Sequence, residues 1–274
     1  MKPDPRWFQI FSLTLLLAYG VTVLHFDVTV ASVSVVLGLA MFFQWLFSKI
    51  YSLPRTEYKS ALISGLSLCL LMRADSPVWF VLGALLTIGS KFVIRARGKH
   101  LFNPTNFGIA VLLLASDRVW VSPGQWGSAT VFAFFISCLG GMVVFRALRS
   151  DTAIAFLLCY PGLLLLRAFR LGDPFVIPLH QLENGALLLF AFFMISDPRT
   201  TPNTRIGRFT FCLLVSLIAY HLRFTHFTPN ALLYSLLFCT PVVPLLDLLF
   251  GGSAYEWEKA RLPAHIPTLT KETI

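Results

Sequence analysis

Apolar residues dominate the chain in long runs, broken only where Pro, Gly or clustered charge interrupts them. Ten such segments can be marked: Trp7 to Leu24, Val28 to Phe47, Ser60 to Met72, Val78 to Ser90, Thr105 to Ser116, Trp126 to Phe145, Thr152 to Leu166, Asn184 to Ile195, Phe209 to Leu222 and Pro229 to Phe250. Each is apolar all round, which is the pattern of a helix in lipid rather than of a helix on a soluble surface. Crossing a bilayer takes roughly 20 apolar residues. Several segments are shorter, and they are expected to be half-helices or re-entrant pieces covered by their neighbours. The expected fold is therefore an all-α polytopic membrane protein, with residues 1–274 forming one transmembrane domain.

Composition agrees with the pattern. Of 274 residues, 56% are hydrophobic and 13% charged, and the mean hydropathy is +0.74. Ten segments leave no room for a soluble catalytic domain or a nucleotide-binding unit. The net charge of +9 would point to nucleic acid in a soluble protein, but here the placing of the charges encodes topology, and no nucleic-acid partner is expected. With the N-terminus inside, seventeen of the 22 Lys and Arg fall on the inner side. Arg73, Arg118, Arg167, Arg170 and Arg223 fall outside. Both termini are then expected to be cytoplasmic, with 251–274 as a tail. The N-terminal segment lacks a small-residue cleavage pattern and reads as a retained first helix. The five cysteines sit inside apolar runs without a CxxC or Cys/His cluster, so neither a disulfide framework nor a metal site is indicated.

The chain also carries an internal echo. Ser64 to Pro77 resembles Asn184 to Pro198, and His100 to Leu114 resembles His226 to Phe238, both at a spacing of roughly 120 residues. Five segments per half is an odd number, so the second half must insert upside down. Repeat one would cover about 7–118 and repeat two about 119–250, related by a pseudo-two-fold axis in the membrane plane.

Candidate chemistry gathers at the breaks. Asn103-Pro104 is a helix start, with Asn as cap and Pro where no hydrogen bond is lost, and Thr228-Pro229 has the same form. A helix N-terminus favours an anionic or acceptor-rich ligand, and Lys91, Arg95, Arg97 and Lys99 reinforce this on the inner face. Asp75 and Asp197 end the two matched segments, each close to Pro. Either could bind a cation or accept a hydrogen bond from a flavin or quinone, and either could close a local Asx-type turn. Asp247 lies in an apolar run near the inner end of the last segment and could snorkel or pair with an inner Arg. Apart from it, the spans contain essentially no acidic or basic residue, so no proton relay can be read. His25, His221 and His226 collect near the outer face, where solvation serves them as well as haem would.

The run Ser90-Lys91-Phe92 through Arg97-Gly98-Lys99-His100-Leu101-Phe102-Asn103-Pro104, with Phe193-Met194-Ile195-Ser196-Asp197-Pro198, resembles the NqrB/RnfD family. Its members are the membrane flavin subunits of the sodium-pumping NADH:quinone oxidoreductase and of the Rnf complex. The resemblance covers about Ser60 to Asp247. It implies a duplicated bundle like that of urea transporters, riboflavin or FMN held non-covalently near Asn103 with Asn106 beside it, and a bacterial plasma-membrane location. The family attaches FMN through a phosphoester to the last Thr of a Ser/Thr-Gly-Ala-Thr sequence. Here Trp126-Gly127-Ser128-Ala129-Thr130 has Gly and Ser exchanged and lacks the upstream acidic residue, so Thr130 carries covalent FMN or is a packing residue. The implied function is an electron-transfer subunit of a membrane oxidoreductase, working with other membrane or extracytoplasmic redox subunits and without a catalytic residue of its own. A small-solute channel or transporter, or a flavinless anchor for redox partners, fits the same bundle.

Overall fold

Helix starts follow local capping chemistry throughout. In a computed structural model, which describes residues 4–54, 56–126, 130–182 and 185–255 (side chains at 123–124, 130–132 and 181 excepted), Asp4 caps α1 (Pro5–Thr22) by accepting from the Arg6 N–H at 3.0 Å. Thr29 and Ser32 form a capping box on α2 (Val30–Ile50). After α3 (Tyr58–Leu71), Pro77 opens α4 (Pro77–Val93). Asn103 caps α5 (Pro104–Ala115) through the Asn106 N–H. Next come α6 (Thr130–Arg146) and α7 (Ser150–Leu171), the latter ended by Gly172 at φ 73°. The short α8 (Val176–Leu182) precedes α9 (Gly185–Leu189), which widens into a π turn over Phe190–Met194. Thr204 caps α10 (Arg205–Phe224), and α11 (Ala231–Cys239) runs through a 3-10 turn into α12 (Val243–Phe250).

Among the described residues, four stretches are long and apolar enough to cross a membrane: Val30–Ile50, Ser150–Leu171, Arg205–Phe224 and Ala231–Phe250. Shorter apolar helices pack among them. Large apolar side chains such as Phe134, Leu158 and Phe169 stand exposed, an arrangement stable in lipid and costly in water. The chain is thus a polytopic helical membrane protein.

Small residues set the closest helix approaches, because in lipid the helices gain by packing and not by leaving water. α4 crosses α5 at Gly108, where an added Cβ would lie 2.1 Å from Thr87 Oγ1. α3 meets α2 at Gly65 and α6 meets the π turn at Gly140, with the same lack of room. α5 also packs against α11, and Asn106 Nδ2 donates to the Leu233 carbonyl at 3.1 Å. α7 and α10 lie along each other.

Several details differ from the expectation. Two short ribbons join the helices: β1 (Met72–Ala74) pairs antiparallel with β4 (Val119–Val121), and β2 (Arg95–Ala96) with β3 (Lys99–His100). Periodicity cannot register strands of two or three residues. α3 ends at Leu71, so Asp75 lies beyond a strand, exposed and bridged to Arg118 at 2.9 Å. α11 starts at Ala231 behind Asn230, because Pro229 and Asn230 form a turn before the helix. The spans are also not free of charge apart from Asp247. Lys91 is buried within α4 and donates to the Ser60 carbonyl and hydroxyl at 3.1 Å.

Basic residues sort to the two ends of the bundle. Arg6, Lys59, Lys91, Arg95, Arg149, Arg199 and Arg208 share the end where α1, α3, α7 and α10 begin, while Arg73, Arg118, Arg167 and Arg223 lie at the other.

Candidate functional site

The residues that start α5 do so beside a cavity. It measures about 180 Å³ and is lined from α1 by Arg6 and Gln9, from α2 by Gln44, and from α3 by Ser60, Ser64 and Ser67. Lys91 and Phe92 of α4, Arg95 and His100 of the ribbon, Asn103 to Thr105 at the start of α5, and Phe193, Met194, Asp197 and Arg199 also line it, with Leu53, Ile63 and the carboxylate of Glu57, which pairs with Arg6. A single water needs about 10 to 15 Å³ on this measure, so a planar polycyclic ring has room.

Its walls are polar, cationic and aromatic together. Asn103 Oδ1 accepts from the Asn106 N–H at 3.0 Å, while Nδ2 faces the Met194 carbonyl at 3.3 Å and Asp197 Oδ2 at 3.4 Å. The amide of Asn103 therefore ties the start of α5 to the end of the π turn. The π turn itself is closed by Ile195 N–H donating to Phe190 O at 3.0 Å. Asp197 closes an Asx-type turn by accepting from the Arg199 N–H at 3.0 Å. Burial pushes its carboxyl above the usual range, opposed by the Arg199 N–H and by the charges of Arg199, Lys91 and Arg149. His100 is held down to about 3, by burial first and then by Lys91 and Arg199, so its imidazole is neutral. Gln44 is buried in the middle of an apolar helix, and its Oε1 has no hydrogen-bond partner among the described residues. Leaving a buried acceptor unmet costs about 1 to 3 kcal/mol, and a donor in the cavity would recover it.

The expected site residues divide. Asn103 and Asp197 come together on this wall. Asn106 lies one turn into α5, buried, with Nδ2 bonded to Leu233 and Oδ1 unpartnered among the described residues. Lys99 turns away from the cavity to bind Asp247 at 3.0 Å and Asn203. Asp247 also accepts from the Asn203 N–H at 2.7 Å, so it pairs with the ribbon's Lys99 rather than with an Arg. Asp75 is at the opposite end of the bundle. Thr130 is the first residue of α6; its side chain, and Gly127, Ser128 and Ala129 before it, lie outside the described residues.

Sequence reasoning missed Gln44, although a lone amide inside an apolar run is itself a signal. It placed Lys91 on the inner face as reinforcing the start of α5, but did not see that the side chain is buried. It also missed a second cavity of about 110 Å³ at the other end, lined by Tyr160, Phe190, Arg223 and the turn Pro229-Asn230 that leads into α11. Met194 lines both cavities, so the π turn stands between them.

Comparison with known proteins points the same way. The chain is 33% identical over 150 residues to the RnfD subunit of the ion-translocating oxidoreductase complex of Tolumonas auensis, covering 54% of this chain and 42% of that protein. The protein of the same name from Pectobacterium atrosepticum is 30% identical over 119 residues, 43% of this chain and 34% of that one. That from Buchnera aphidicola subsp. Schizaphis graminum is 35% identical over 78 residues, 28% and 22%. The matches thus span about two fifths or less of the length of these relatives. Residues 116–255 match the NQR2, RnfD, RnfE family. With about half of its length matched, from the end of α5 to Tyr255, the chain belongs to that family.

Proposed function

We propose that this chain is a membrane-embedded electron-transfer subunit of an Rnf-like ion-translocating oxidoreductase complex, and that riboflavin or FMN sits without a covalent bond in the cavity at the start of α5. The observation that carries the reading is the cavity wall itself. An unmet acceptor on Gln44, cations on Lys91, Arg95 and Arg199, and rings from Phe92 and Phe193 suit a flat heterocycle with both N–H and C=O edges. A bound flavin would supply the one- and two-electron chemistry that no side chain can. Gln44 would accept from a ring N–H. Lys91 and Arg199 would lie near the ring and favour charge added on reduction, and the N–H groups of the first turn of α5 would act in the same sense. Asn103 would position this edge through its bonds to Met194 and Asp197. The test is flavin occupancy of purified variants: Gln44→Leu and Lys91→Met should each lower it about tenfold, matching the 1 to 3 kcal/mol of one lost buried bond. Full occupancy in both would remove the site.

The finer architecture belongs to the same proposal. Two five-segment inverted repeats, about 7–118 and 119–250, are supported by the pairing of α5 with α11. α5 begins at Pro104 and α11 just after the turn Pro229-Asn230, each has a cavity at its start, and the two starts lie at opposite ends. Both termini are assigned to the cytoplasmic side of a bacterial plasma membrane, with redox partners at both faces. Thr130, at the start of α6, is the residue we assign to covalent FMN. Intact-protein mass after expression with the attaching enzyme should show one added FMN, absent in Thr130→Ala, and an unmodified wild type beside a modified control protein would assign Thr130 to packing.

One observation favours a second reading. Two cavities that meet at Met194 from opposite ends also describe a blocked path for a small solute. That reading needs no flavin.

A further inference from the structure

A third cavity has no place in this account. It measures about 570 Å³ and lies where α7 and α10 begin and α6 ends, closed by Ser253, Ala254 and Tyr255 beyond α12. Its charged lining is three arginines, Arg149, Arg205 and Arg208, against one aspartate, Asp151.

That aspartate is already committed. Its Oδ2 accepts from Arg208 Nη2 at 2.6 Å and Nε at 3.0 Å, and Arg205 Nε stands 4.0 Å away. Arg149 is buried, and its hydrogen-bond partners among the described residues are neutral: Thr201 Oγ1 at 3.1 Å, Leu148 O at 3.0 Å and Pro198 O at 3.4 Å. Its guanidinium lies 4.7 Å from the Tyr255 ring. Asp197, the next carboxylate to influence it, is turned to Asn103 and the Arg199 N–H. Among the described residues, three positive charges against one negative leave an excess of two. At the start of α7 the Arg149 side chain makes no cap bond; Asp151 Oδ1 accepts from the Thr152 N–H at 2.9 Å, and the N–H groups before it favour an anion. A buried guanidinium without a counter-charge is costly, and its planar fork matches phosphate oxygens.

What surrounds the cavity decides which phosphate. Phe145 at the end of α6, Leu148 just before α7, and Ile206 and Phe209 on α10 are large, apolar and exposed, and α7 and α10 are long enough to cross the bilayer. A free phosphate has no use for such an apron, whereas acyl chains do.

We propose that the cavity between the starts of α7 and α10 holds the phosphodiester headgroup of an anionic phospholipid, with Arg149, Arg205 and Arg208 as its cationic wall. Arg205 takes the outer position, since its side chain is 90% exposed. Arg149 forms the floor, and Arg208 is fixed by Asp151 so that its guanidinium does not reorganise when the lipid binds.

The test is native mass spectrometry of the full chain in detergent, with phosphatidylglycerol or phosphatidylcholine added. Wild type should retain phosphatidylglycerol in preference to phosphatidylcholine. Arg205→Ala should weaken retention about fivefold, the effect of one surface cation on an anionic lipid, and Arg205→Glu should weaken it further. Arg118→Ala, at the opposite end, should leave it unchanged. Because Arg205 is exposed, its variants should melt as wild type does, so lost binding is not lost folding. Displacement of phosphatidylglycerol by millimolar inorganic phosphate would overturn the lipid in favour of a free phosphate. Equal retention of the two lipids, or wild-type retention by Arg205→Glu, would overturn the site altogether. Flavin occupancy measured on the same samples keeps this result separate from the proposed redox role.

Discussion

His100 shows how one residue near the start of α5 reports on its surroundings. Its Nδ1 is 3.2 Å from the Lys91 carbonyl, which makes Nδ1 the protonated nitrogen of a neutral ring. Burial, Lys91 and Arg199 hold its pKa down to about 3, against 6.5 for a free side chain. Between these values the unfolded chain binds a proton that the folded chain does not, so stability contributed by His100 is complete above pH 6.5 and is lost as the pH falls toward 3. Asp197 has the opposite sign: its raised pKa favours the folded state at low pH, and that contribution fades as the pH rises. Thermal melts should therefore show wild type losing stability below pH 6.5, with His100→Gln losing clearly less. Parallel curves for the two proteins would mean that the ring is solvated. The cap at Asn103 was legible as Asn before Pro at the edge of an apolar run. The engagement of its amide by Met194 and Asp197 was not, because those bonds span more than 90 positions and no local pattern encodes them.

At the scale of elements, the crossing of α4 and α5 depends on Gly108. A Cβ there would overlap Thr87 Oγ1 and stand 3.1 Å from the Gly83 carbonyl. Since backbone cannot yield as a long side chain can, Gly108→Val should cost about 1 to 3 kcal/mol by overpacking and widen the mouth of the cavity as α5 moves. A denaturation midpoint equal to that of wild type would show that the helices are looser than the contacts imply. Apolar runs located the helices well because lipid demands all-round hydrophobicity, a strong signal. The signal fails at the ends: α3 stops before Met72 and α11 starts after Asn230, where strand pairing and a turn replace helical bonds. The π turn over Phe190–Met194 was also invisible, since an inserted residue changes hydrogen bonding without changing composition.

For the molecule as a whole, charge carried more information than hydropathy. The assignment of Lys and Arg to two sides anticipated which residues share an end, although it could not show that Lys91 turns inward to Ser60. It also sets the orientation experiment. Reporter fusions after Lys59 and Arg208 should read cytoplasmic and one after Asp173 external, and any reversal would remove the inverted repeat. The family was legible from the Lys99 to Pro104 and Ser196 to Pro198 runs, while the wall that would receive a ring, with Gln44 from α2 and Lys91 from α4, comes together only in three dimensions. The most direct measurement is the flavin content of the purified chain, released by acid and quantified per polypeptide. The account predicts about one released flavin per chain, apart from any FMN left covalently attached at Thr130. A correctly folded chain that releases none, expressed where flavin is plentiful, would contradict it and leave the cavities on either side of Met194 to a solute.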